Sequence, residues 1–147
     1  MVKLIKSMAV LVTLFGVQFA NAQNNVIAFE TLPAKAQSFV KEHFSVQEIS
    51  GVYEDVEHLQ QKEYSVYFND GTEIEFFSNG DWEEVKSRKG QVPDKIVPTE
   101  IAQYVKKQYS QTQIKDIKKK RIGYEVELSN GLDLEFNKKG QFLRIDN

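Results

Sequence analysis

The stretch Leu32-Pro33-Ala34-Lys35-Ala36-Gln37-Ser38-Phe39-Val40-Lys41 returns 65 positions later as Val97-Pro98-Thr99-Glu100-Ile101-Ala102-Gln103-Tyr104-Val105-Lys106. Phe44 then meets Tyr109, and Ile49 meets Ile114. From Tyr64 onward the offset is 60: Tyr64, Val66 and Phe68 meet Tyr124, Val126 and Leu128. Asp70-Gly71 meets Asn130-Gly131, Ile74 and Phe76 meet Leu134 and Phe136, and Gly80 meets Gly140. Trp82 meets Phe142, and Val85 meets Ile145. A single insertion of five residues within Glu54–Glu63 aligns the two stretches end to end. Such a self-match is the mark of a duplicated unit, so the fold must be built from two like halves, residues 23–87 and 88–147.

Each half reads as one helix followed by strands. Leu32, Ala36, Phe39, Val40 and Phe44 recur at helical spacing, as do Val97, Ile101, Tyr104, Val105 and Tyr109. Pro33 and Pro98 suit the first helical position, where a missing N–H costs nothing. Tyr64, Val66 and Phe68 then alternate with polar neighbours, as do Ile74 and Phe76. In the second half Tyr124, Val126, Leu128, Leu132, Leu134 and Phe136 alternate with Glu125, Glu127, Ser129, Asp133 and Glu135. Asp70-Gly71 and Asn130-Gly131 are expected to close type I′ hairpins, and Asn79-Gly80 and Lys139-Gly140 the next turns. First strands near Val46–Val56 and Gln113–Ile122 complete a four-stranded antiparallel meander per half.

Period-2 alternation buries one sheet face and wets the other. A unit of roughly 60 residues is marginal alone. The expected fold is therefore α+β: two tandem copies of a helix plus a four-stranded meander, joined into one curved eight-stranded sheet with both helices on one face. Residues 88–94 form a short linker.

Residues 1–22 stand outside that fold. Lys3 and Lys6 precede an apolar run from Met8 to Val17, and Ala20-Asn21-Ala22 is an A-x-A site. The run is too short to span a bilayer, which needs about 20 residues. It reads as a secretory signal peptide cleaved after Ala22. The expected location is periplasmic or secreted, with no membrane insertion. The chain has no cysteine, so no disulfide, thiolate or iron–sulfur chemistry is available. Two histidines, His43 and His58, leave little room for a metal centre. No cofactor and no metal are expected.

The wet face carries the candidate site. Glu83 and Val85 match Leu143 and Ile145, which sets all four toward the core. Trp82 and Glu84, like Phe142 and Arg144, then point to the open face. Alternation adds Tyr67, Glu73, Glu75 and Phe77 from the first half. Glu125, Glu127, Asp133 and Glu135 join them from the second. Exposed rings at Tyr67, Phe77 and Trp82 would make a contact patch. Curvature, a loop or mutual stacking could instead cover these rings, and a one-residue slip near Trp82 would exchange the faces.

Charge is uneven along the chain. Residues 23–87 hold 13 acids and 4 bases, net −9, and residues 88–147 hold 8 acids and 13 bases, net +5. An acidic half can steer a basic partner. Lys118-Lys119-Lys120-Arg121 reads as a strand end guarded against edge pairing, not as a nucleic-acid site, since the chain is acidic and has no reading element. Glu54, Asp55, Glu57 and His58 offer at most a weak calcium loop. His43 reads as structural. Carboxylates at alternate strand positions are what any wet face gives, so no enzyme is expected.

The signal peptide, the paired Leu/Val-Pro helix openings and the closing G-x-W/F-x-x-V/I pattern (Gly80–Val85, Gly140–Ile145) resemble the beta-lactamase-inhibitor-like, PepSY-like family of exported bacterial proteins. The resemblance covers residues 27–146. It implies a duplicated helix-plus-four-strand unit as in proteinaceous beta-lactamase inhibitors, and an association of PepSY modules with peptidase propeptides and inhibition. It implies no catalytic residues. The expected function is an exported, non-enzymatic module that binds a protein or peptide through its open sheet face, where Glu73, Glu75 and Glu84 would favour a basic partner, an envelope hydrolase being one such target. A structural or stress-related envelope protein acting by self-association, and a carrier of a small ligand or cation, are the alternatives.

Overall fold

The computed structural model describes residues 25–56 and 62–146. The expected signal peptide, and Glu57 and His58 of the suggested calcium loop, lie outside the described residues. The chain runs β1 (Asn25–Val26), α1 (Ala34–His43), β2 (Ile49–Val56), β3 (Lys62–Phe68), β4 (Thr72–Phe76) and β5 (Trp82–Ser87), then α2 (Thr99–Gln108), β6 (Ile114–Lys120), β7 (Gly123–Leu128), β8 (Asp133–Asn137) and β9 (Phe142–Asp146). The strands form one sheet in sequence order, each antiparallel to the next. Among the described residues it has nine strands where eight are expected. The addition is β1, two residues that pair with Tyr53 and Glu54 of β2 and carry no alternation to announce them.

Both helices begin one residue later than the proline rule suggests. Pro33 and Pro98 sit at the caps with ψ 142° and 138°. Their carbonyls accept the first helical bonds, from Gln37 and Ala102. Each helix buries one stripe, Ala36 and Val40 in α1 and Ile101 and Val105 in α2. Lys41, and Lys106 and Lys107, fall in the last turns, where positive charge meets the negative end of the helix dipole.

The first hairpin of each half differs from the type I′ expectation. Gly71 N–H donates to the Phe68 carbonyl, and Gly131 N–H to that of Leu128. The central turn residues are thus Asn69-Asp70 and Ser129-Asn130, with the glycines one place further on at φ +84° and +81°. This is the three-residue loop that ends in a left-handed glycine. In the second turn of each half, Gly80 and Gly140 have φ +82° and +76° and lie beneath a helix start. A Cβ there would come within 2.8 Å of Pro33 Cβ and 2.9 Å of Glu100 Cβ.

The core is one continuous cluster between the helices and one sheet face, with Phe76, Phe136, Ile74, Leu134, Ile101 and Ile117 among its fully buried members. The two halves meet at a short ladder, Glu84↔Lys118, Val85↔Ile117 and Lys86↔Asp116. The segment expected as a plain linker enters the core as well. Val92 is buried and donates its N–H to the Ile114 carbonyl, and Ile96 and Val97 are buried behind it.

Candidate binding face

The helices cover one side of the sheet. On the other, strand register sets side chains in two rows that cross both halves. One row runs Tyr53, Ser65, Glu75, Glu84, Lys118, Glu125, Glu135 and Arg144. The next runs Gly51, Tyr67, Glu73, Lys86, Asp116, Glu127, Asp133 and Asp146. Of the residues the sequence assigns to this face, Tyr67, Glu73, Glu75, Glu84, Glu125, Glu127, Asp133, Glu135 and Arg144 all stand in these rows. Phe77 follows core residue Phe76 and is half-buried.

Like charges face each other across the ladder at Glu75↔Glu84, Glu125↔Glu135, Glu127↔Asp133 and Asp133↔Asp146. Such pairs oppose folding. The few cations on the face partly offset them. Lys118 Nζ lies 2.6 Å from Glu84 Oε2 and 3.8 Å from Glu75 Oε2. Lys86 lies 3.3 Å from Asp116, Lys120 3.0 Å from Glu125, and Arg144 2.9 Å from Glu135.

Burial, together with the negative charge of Glu84, pushes both Glu75 and Asp116 up to about 7. Among the described residues, Asp116 Oδ1 is buried with no hydrogen-bond partner, as is Asp55 Oδ1 on the same face. Burial opposes ionisation of Glu84 too, but hydrogen bonds with Lys118 and Asp116, together with the charges of Lys118 and Lys86, outweigh it and hold that carboxyl below its usual range. Burial first, then a hydrogen bond to Glu73, pushes the Tyr67 hydroxyl up to about 12. Tyr67 packs edge-on against Tyr53, with ring centres 5.5 Å apart, and the Tyr53 ring lies across Gly51.

Glu75 and Asp116 hold a proton more tightly folded than unfolded. Their contribution to stability is full below the ordinary carboxylate range and is lost as pH rises through about 7. Thermal unfolding is therefore expected to occur at lower temperature at about pH 8 than at about pH 5.5. Glu75→Gln should flatten that slope, and an unchanged slope in the variant would contradict the assignment.

Trp82 and Phe142 do not lie on the open face. A bulge between Glu75 and Phe76 pairs Phe76 with Trp82, and the same irregularity pairs Phe136 with Phe142. The extra residue turns both rings to the helix side. Trp82 stacks on Phe39 of α1 at 6.1 Å, and Phe142 on Tyr104 of α2 at 4.7 Å. Lys119 caps Trp82 from 3.8 Å. Trp82→Ala is accordingly expected to cost stability, about 2–3 kcal/mol given partial burial, while leaving ligand binding by the folded protein intact. Calorimetric unfolding and a binding titration on the same variant check both halves of that statement.

The bulge also revises the neighbours. Leu143 is exposed, against the expectation that it points to the core. Ile145 is on the helix side but also exposed. Glu83 sits at the bulge rather than in the core.

The lysine run is not a guarded strand end, because β6 is an interior strand. Lys118 and Lys120 pair with carboxylates across the open face, and Lys119 covers Trp82. Glu54 and Asp55 belong to β2 rather than to a loop. Glu54 pairs with Lys62 at 3.0 Å, and Asp55 faces Ser65.

The sequence reading missed Tyr53, Lys86 and Asp116. It also placed the charge contrast along the chain, whereas the structure sorts it by face. The second half is basic overall, yet its open-face rows are rich in acids. Among its cations outside those rows are Lys106 and Lys107 on α2 and Lys138 and Lys139 in the turn after β8. Among the described residues, Glu125, Glu135 and Asp146 bring one carboxylate oxygen each within 4.8 Å of one another. That geometry can hold a divalent cation with oxygen ligands.

Among the described residues no helix is long and apolar enough to cross a membrane. Among curated proteins, none matches the chain. In structure it is similar to a "putative periplasmic protein from DUF2874 family" of Bacteroides vulgatus, at 31% identity, over 86% of this chain and 99% of that one, with a TM-score of 0.80. It is also similar to a "putative calcium-regulated periplasmic protein" of Bacteroides thetaiotaomicron, at 35% identity, over 84% and 97%, with a TM-score of 0.80. A third likeness is a "putative periplasmic protein of unknown function" of Bacteroides vulgatus, at 31% identity, over 85% and 100%, with a TM-score of 0.79. Residues 62–144 match the family described as "Putative beta-lactamase-inhibitor-like, PepSY-like", and the chain belongs to that family.

Proposed function

We propose that this chain is an exported, non-enzymatic binding module, formed from tandem copies at 23–87 and 88–147, that recognises a basic protein or peptide on its acidic open face. The observation that carries the reading is the row of carboxylates set opposite one another in register, Glu75 with Glu84 and Glu127 with Asp133 and Asp146. Such pairing costs folding stability, and an arriving cation recovers that cost. Tyr53 and Tyr67 supply flat contact area at one end of the rows. Inhibition of an envelope hydrolase is the version suggested by the likeness to beta-lactamase inhibitors.

Calorimetric titration with a short synthetic Lys/Arg-rich peptide tests it. Binding should weaken with salt and fall at least about tenfold in Glu75→Lys with Glu127→Lys, since close charge pairs across an interface couple by more than about 1.4 kcal/mol. Equal binding of an acidic peptide, or no loss in the double variant, would contradict the reading.

A second reading has its own observation. The oxygens of Glu125, Glu135 and Asp146 could take calcium, displacing Lys120 and Arg144 from their pairs, and one similar structure bears the words "calcium-regulated". Calcium titration of the protein and of Asp146→Asn separates the two. Heat that vanishes in the variant supports a cation site, and none in either excludes it.

A further inference from the structure

Among the described residues β9 is the last strand of the sheet, and its outer edge has a counterpart inside the molecule that is already occupied. β5 and β9 hold equivalent places. Each follows a turn whose glycine lies under a helix start, each carries the same bulge, and their ladders match: Phe76↔Trp82 with Ile74↔Val85, and Phe136↔Phe142 with Leu134↔Ile145. β5 turns its other side to β6, so that Val85 faces Ile117 and is fully buried. Ile145 has no described strand beyond it and is 42% exposed, with Leu143 beside it at 49%. Apolar edges of this kind are ordinarily guarded by lysine or other charges, proline, a bulge or a covering segment, and of these β9 carries the bulge at Leu143 and the charges of Arg144 and Asp146. The sequence Phe142-Leu143-Arg144-Ile145-Asp146 has neither lysine nor proline.

We propose that β9 pairs antiparallel with β9 of a second copy, about a twofold axis at Ile145, to give a homodimer with one continuous sheet. Charge selects both the occupant and the register. Centring on Ile145 sets Arg144 opposite Asp146 of the second copy, and does so twice. Centring on Arg144 would oppose two guanidinium groups, and centring on Asp146 two carboxylates. Head-to-tail addition of β9 to β2 of the next copy would run on into a fibre, but β1 already lies along β2 at Tyr53 and Glu54. That register would also set Ile145 on Val52, leaving Arg144 and Asp146 opposite Tyr53 and Gly51 with no ion pair. An axis normal to the sheet keeps all four helices on one side and joins the two acidic faces on the other.

The chain has no cysteine, so a single one reports the contact. Directly opposite strand residues lie about 5 Å apart, within reach of a disulfide. Under mild oxidation the purified Ile145→Cys protein should cross-link to a dimer much faster than Ile122→Cys, a site 58% exposed in the turn between β6 and β7. Sedimentation of the unaltered protein should show a concentration-dependent dimer. Ile145→Lys should weaken it by about tenfold or more with unchanged circular dichroism. Arg144→Asp should weaken it too, and adding Asp146→Arg should restore it, which a strand from an unrelated partner would not do. A protein that stays monomeric at the highest concentration reached, or equal cross-linking at positions 145 and 122, would overturn the proposal.

Discussion

Phe136→Ala is expected to remove about 3–5 kcal/mol of stability, the usual cost of deleting a buried ring. Phe136 is 1% exposed, and its ring meets Tyr104 of α2 at 5.5 Å and Phe142 of β9 at 5.9 Å, both edge-on. The three rings fasten α2 to the last two strands, so the cavity has rigid walls on both sides and cannot readily collapse. Against a total stability of about 5–15 kcal/mol for a domain this size, urea denaturation should show the midpoint falling by a large fraction. A shift below about 1 kcal/mol would mean that α2 does not pack as described.

Gly123→Ala is expected to be as damaging, for a different reason. A Cβ at Gly123 would stand 1.9 Å from the Phe136 carbonyl oxygen and 2.6 Å from the Asn137 carbonyl carbon. Both are backbone atoms of the neighbouring strand, and neither can yield without opening the β7–β8 ladder. A loss of about 3 kcal/mol or more is expected. Gly131→Ala is the control. It shares a positive φ, +81°, but has nothing within 4 Å of the added methyl, so only backbone strain of about 1 kcal/mol applies. Equal losses in the two variants would contradict the close approach at Gly123.

Neither variant touches the acidic rows, which separates what holds the fold from what the fold presents. Helices, hairpin positions and most of the open face were legible in the residues, because 3.6- and 2-residue periods translate directly into faces. What the periods could not show is where a period breaks. The bulge at Glu83, and its twin at Leu143, changes no residue type, yet it moves Trp82 and Phe142 to the opposite side. The one available signal was an aromatic at matching helix positions, Phe39 and Tyr104, waiting for a partner. β1 is too short to carry a pattern. Asp116 was hidden for a related reason: along the chain it is one acid between Lys115 and Lys118, and only cross-strand register sets it beside Lys86 and Glu127. Charge counted by halves likewise gave no view of charge sorted by face.

The carboxylate-lined side of the sheet, away from the helices, is proposed as the place where a cationic partner docks. Backbone NMR of the labelled protein, titrated with a Lys/Arg-rich peptide, tests it most directly. Shifts are expected to concentrate at Tyr67, Glu73, Glu75, Glu84, Glu127 and Asp133 and to be suppressed by salt, with α1 and α2 unmoved. Shifts gathered on the helices, or a face that stays silent at saturating peptide, would contradict it.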